Sequence, residues 1–92
     1  MPHSFRGPLR ERIRVELVEA DLEAGFRLVD IVETEAGFGS RLRAVRALQD
    51  AEDVFSDIQQ RLGHLEAPEK IPFEAIVGEL RRAIDLARLH SS

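Results

Sequence analysis

Among its 92 residues the chain has no cysteine, tryptophan or tyrosine, and only one of its 13 basic residues is a lysine. Without cysteine there is no disulfide frame, no thiol nucleophile and no thiolate ligand for a metal. Apolar runs are short: Ala75-Ile76-Val77 is as long as any, so no segment is expected to cross a membrane. The first thirty residues carry charge throughout and contain no secretory apolar core, which makes the cytoplasm the expected location. Strand signals are missing as well, because no stretch alternates apolar and polar residues for long.

What remains is a mildly acidic, helix-forming sequence. It is 43% apolar and 33% charged, with a net charge of −4. A chain of this size hides only about 60–65% of its unfolded surface when it folds alone, so a modest core, or one completed by a partner, is expected. Prolines at 2, 8, 68 and 72 and glycines at 7, 25, 37, 39, 63 and 78 divide it into three segments. Residues 1–7 read as a flexible tail ahead of a single helical domain over 8–92. Pro8 suits a first helical turn, and the first helix runs over about 8–36 until Gly37-Phe38-Gly39. Ser40 is a candidate N-cap for a second helix over 40–63, with Gly63 as its left-handed end. Pro72 opens a third helix over about 72–90.

Periodicity supports the same division. In the second helix Ala44, Leu48, Ala51, Phe55, Ile58, Leu62 and Leu65 alternate steps of four and three, a heptad pattern with one face to bury. In the third, Phe73, Ile76, Val77, Leu80, Ala83, Ile84 and Ala87 share one stripe. The first helix has two stripes. Ile13, Leu17, Ala20, Ala24, Leu28 and Ile31 form one, while Val15, Val18, Leu22, Phe26 and Val29 lie roughly opposite on a wheel of 3.6 residues per turn. Two neighbouring helices cover one broad face of a third, so the other stripe is left as an association surface. The expectation places that surface on Val15, Val18, Leu22, Phe26 and Val29, and covers it with a second copy of the chain, since two-fold homodimers dominate soluble oligomers. Another protein is the alternative partner. Gly25 lies near this stripe and either admits a close-packed helix or is simply tolerated at a cost of about 1 kcal/mol relative to alanine.

Charge comes in blocks: +3 over 1–14, −6 over 15–35, +3 over 36–49, −6 over 50–79 and +2 over 80–92. An up-down-up arrangement sets Asp30, Glu33 and Glu35 against Arg41, Arg43 and Arg46. It also sets Glu69, Glu74 and Glu79 beside Arg10–Arg14, and Arg81, Arg82 and Arg88 beside Glu33 and Glu35. Arginine suits phosphate recognition, but acids interleave every arginine cluster. Nucleic-acid binding would require Arg10, Arg14, Arg41, Arg43 and Arg46 to align into a continuous basic surface across a dimer.

Candidate chemistry is sparse. Glu16, Glu19, Glu23 and Asp30 share one side of the first helix, but no histidine has a glutamate three residues before it, as carboxylate-bridged metal bundles require. His3, His64 and His90 fall in the tail, the connector and the last helical turn. Ser40, Ser56 and Thr34 have no histidine or lysine close in sequence to act as a base. Gly37-Phe38-Gly39 follows a helix, not a strand, and lacks the spacing of a phosphate-binding loop. No catalytic, cofactor or metal site is expected, and the sequence points away from an enzyme. The competing class is a ligand-binding or enzymatic bundle with its site between subunits.

The stretch Leu28–Phe55 resembles the helical hairpin of a tetratricopeptide unit. Ala44, Leu48 and Ala51 match the small-large-small spacing of its second helix, and Ile31 matches a large position of its first. Val32, Glu35 and Ser56 depart from the family pattern. Such repeats bind peptides in a concave groove built by several stacked units, and a single unit carries over no groove. The shape also resembles small bacterial all-helical proteins of no assigned activity. The expectation is therefore an all-α, up-down-up three-helix bundle with a long first helix, completed by dimerisation and acting as an interaction or adaptor module.

Overall fold

A computed structural model describes the backbone of residues 2–91 and the side chains at 10, 12–37 and 39–91. Three helices follow one another: α1 (Pro2–Phe38), α2 (Arg41–Gly63) and α3 (Ala67–Ser91). No strand occurs among the described residues. The helices run up, down and up, so that α1 and α3 are parallel: His90 near the end of α3 meets Glu33 near the end of α1, and Leu80 meets Gly25. At the opposite end Arg14 donates to the His64 carbonyl in the α2–α3 turn at 3.2 Å.

That contact places residue 14 level with the turn, and the rest of α1 projects past it. At a 1.5 Å rise per residue the twelve residues before Arg14 extend the helix by about 18 Å. The molecule is accordingly long, 58 × 20 × 15 Å, with a radius of gyration of 15.8 Å, where a compact chain of this length would have about 12 Å.

The helix limits follow from local chemistry, with three corrections to the sequence expectation. First, α1 begins at Pro2, so residues 2–7 continue the helix instead of forming a tail. Second, the left-handed residue is Gly39 at φ +91°, not Gly63. Its geometry lets the Ser40 N–H bond back to the Glu35 carbonyl at 3.1 Å, the six-to-one bond that closes a helix end with glycine just past the cap. Ser40 does stand at the N-cap of α2, but its side chain makes no capping bond. Third, α3 starts five residues before Pro72. The Glu66 carbonyl receives the N–H groups of Glu69 and Lys70, and Pro68 falls in the first turn, where no N–H is needed. Pro72 then costs one internal bond and leaves the helix intact.

The core is assembled from one face of each helix. From α1 come Val18, Leu22, Val29 and Val32; from α2, Ala44, Ala47, Ala51, Phe55 and Ile58; from α3, Phe73, Leu80, Ile84 and Ala87; Leu65 closes the turn. The α2 and α3 stripes expected from periodicity are largely these residues, although Leu48, Leu62, Val77 and Ala83 are only half-buried and Ile76 stays exposed. Gly25 is the point of tightest approach. A Cβ built there would stand 2.8 Å from Leu80 Cδ2 and 3.3 Å from Cδ1, so the glycine is a notch that receives the leucine. α1 runs through it without a break.

Candidate functional site

The two stripes of α1 have different fates. Val18, Leu22 and Val29 are buried in the chain's own core, and Val15 and Phe26 pack half-buried against it. The face expected to pair with another chain is thus occupied by α2 and α3. The physical reason is its volume and shape: it carries the branched and aromatic side chains, continues to Val32, and includes the Gly25 notch. The opposite stripe, with two alanines at its centre, has less to gain from burial within the chain.

The stripe left outside is therefore the other one. Ile13 is 48% exposed, Leu17 39% and Ile31 41%. Ala20 is exposed as well, whereas Ala24 is half-buried and Leu28 packs half-buried against the edge of the chain's own core. These six positions run along five turns of α1, and on the helical wheel they lie roughly 120° from the buried face. They adjoin the α2 side of the bundle, where Asp21 accepts from Arg61 Nε at 2.7 Å and Glu35 lies 4.0 Å from Arg43. Other exposed apolar side chains, Leu42 and Val45 on α2 and Ile71, Ile76, Leu86 and Leu89 on α3, form no comparable continuous stripe along a helix.

Polar side chains concentrate on the α2–α3 edge. Arg81 forks onto Glu52, with both N–H···O distances at 2.9 Å, and also donates to Asp85 at 2.8 Å; Arg88 bonds the same Glu52. The Arg81 guanidinium stacks 4.7 Å from the centre of the Phe55 ring. Hydrogen bonding and charge from Arg81, aided by Arg88, hold the Glu52 carboxyl below the usual carboxylate value of 4.5 against the opposing effect of burial. Arg81 is pushed further up by the same partner. This cluster ties two helices together, and its donors and acceptors are turned on one another, not toward a substrate. Sequence blocks had set Arg81 and Arg88 against Glu33 and Glu35. Instead His90 reaches Glu33 at 2.8 Å, a pairing that the parallel course of α1 and α3 made available but the histidine's position in the sequence did not signal. Glu69, Glu74 and Glu79 form no ion pair with Arg10, Arg12 or Arg14 among the described residues.

Concave surface is limited. A shallow cavity of about 200 Å³ opens where α1 ends and α2 begins, lined by Glu35, Ala36, Gly39, Arg41, His90 and Ser91 among others. It falls below the roughly 300–1,000 Å³ that ordinarily encloses a small-molecule ligand. A second hollow, of about 310 Å³, is bordered by Asp57, Gln60, Arg61 and His64, polar side chains without the apolar lining that usually encloses a ligand. Among the described residues no cluster of histidine and carboxylate side chains has a metal-binding arrangement, no polar side chain is fully buried, and no helix is long and apolar enough to cross a membrane. The outer apolar face of α1 is thus the candidate functional surface. No family model matches the chain, and no curated protein or solved structure matches it either.

Proposed function

We propose that the protein is a small helical association module that works by pairing with a second copy of itself through the outer face of α1, and not by catalysis. The observation that carries this is the stripe Ile13, Leu17, Ala20, Ala24, Leu28 and Ile31, exposed at Ile13, Leu17, Ala20 and Ile31 and half-covered at Ala24 and Leu28, apolar over five turns of a helix whose other face is already buried in the chain's own core. A lone exposed leucine needs no explanation, but a continuous apolar stripe on a surface helix favours burial against another chain. The modest core of a 92-residue bundle gains from such burial, and a symmetric homodimer is the simplest closed assembly. This reading keeps the protein in the cytoplasm as an adaptor whose output is the geometry of the pair.

Association linked to folding makes the thermal midpoint depend on protein concentration. The midpoint of the wild type is expected to rise between roughly 1 µM and 1 mM chain, with Leu17→Glu showing a lower midpoint that no longer responds to concentration. A wild-type midpoint that stays constant over that range would overturn the reading.

A further inference from the structure

We infer that two copies pair through α1 in antiparallel orientation about a two-fold axis near residue 22; this rests on the self-association proposed above. The outward stripe reads Ile, Leu, Ala, Ala, Leu, Ile at positions 13, 17, 20, 24, 28 and 31, a sequence that is the same in both directions. Turned end for end about residue 22, Ile13 faces the partner's Ile31 and Ala20 faces the partner's Ala24, while Leu17 faces the partner's Leu28 to within one residue. Large side chains then meet at both ends and alanines at the crossing, where small residues let two helix backbones approach.

Charge selects the orientation. One step beyond each end of the stripe stand Arg10 and Glu35, related by reversal about residue 22 to within one residue. Antiparallel pairing sets Arg10 against the partner's Glu35 twice over; parallel pairing sets like charges together at both ends. Glu35 already lies 4.0 Å from Arg43 of its own chain, and a carboxylate has acceptor sites for both cations. On the other flank Glu16 and Arg27 repeat the relation to within one residue, Arg27 also bonding Glu23 of its own chain at 3.1 Å, and an antiparallel pair uses it because the same flanks of its two helices meet. The shape agrees: the part of α1 that projects beyond the α2–α3 turn carries Arg10, and in this pairing it lies along the partner's bundle near the end of the partner's α1, instead of standing free.

The native chain has no cysteine, so engineered thiols report neighbours without interference. Ile13→Cys and Ile31→Cys chains, each shown to be helical by circular dichroism, are mixed and mildly oxidised. The expected product is the mixed Ile13→Cys/Ile31→Cys disulfide, several-fold over either homodisulfide, because only facing positions bring Cα atoms within disulfide reach. Predominant homodisulfides, or a statistical mixture, would overturn the antiparallel register while leaving self-association standing. A wild type that sediments as a single chain would overturn both. As a second readout, Arg10→Glu and Glu35→Arg should each weaken association about ten-fold, since each change alters two symmetric pairs, and the double variant should recover most of it. No recovery would count against the end-to-end match.

Discussion

At Gly25 the absence of a side chain decides how closely α1 and α3 approach. Alanine is the better helix former by about 1 kcal/mol, yet here its Cβ would meet the fully buried Leu80 at 2.8 Å, and forcing extra atoms into a packed core costs about 1–3 kcal/mol. Gly25→Ala is expected to destabilise the protein by about 1 kcal/mol in urea unfolding. In a Leu80→Val background the same substitution should become stabilising, because the methyl groups it meets are gone and the two positions are coupled. Equal stabilisation in both backgrounds would show that the notch is not needed. Glu52 supports a second expectation. Its folded pKa is lowered, so its contribution is present above the usual carboxylate value of 4.5 and is lost as pH falls through the folded value. Because the cluster is partly exposed, this amounts to about 1 kcal/mol or less. Glu52→Gln should lower stability at pH 7 and flatten its decline below pH 4.5; an unchanged acid slope would exclude the carboxylate as its source.

The helices differ in how much of their placement the sequence discloses. For α2 the alternation of four and three from Ala44 to Leu65 marks a single face, and that face is largely the one buried. The same holds for α3 from Phe73 to Ala87, although two prolines suit a first helical turn and it is Pro68, not Pro72, that occupies it. For α1 the periodicity disclosed two apolar faces and could not rank them. Ranking needs three-dimensional complementarity: Leu80 fits Gly25, and the branched residues from Val15 to Val32 fit between α2 and α3, whereas the alanine-centred stripe fits neither helix as well. The turns were partly legible. Gly39 and Gly63 are chemically alike, and only the bond from Ser40 to the Glu35 carbonyl distinguishes the one that turns left-handed. The Arg81–Glu52–Arg88 cluster was hidden for a similar reason, since the charge blocks give the order of the helices but not which edges face each other.

For the whole molecule, the proposed association rests on a 58 Å rod that carries an apolar stripe along the outer side of its longest helix. The buried face of α1 stabilises the single chain; the proposal gives the outer face a separate role. Exchanging a residue on each face separates these roles, because an outward glutamate stays in water when the partner leaves, while an inward one carries a charge into the core. The most direct test is sedimentation equilibrium on the wild type, Leu17→Glu and Phe26→Glu. The expected result is a two-chain mass for the wild type, a helical one-chain species for Leu17→Glu, and loss of cooperative folding for Phe26→Glu. A wild type at one-chain mass throughout, or a folded one-chain Phe26→Glu beside a two-chain Leu17→Glu, would contradict the assignment of the outer face of α1 as the surface through which the protein associates.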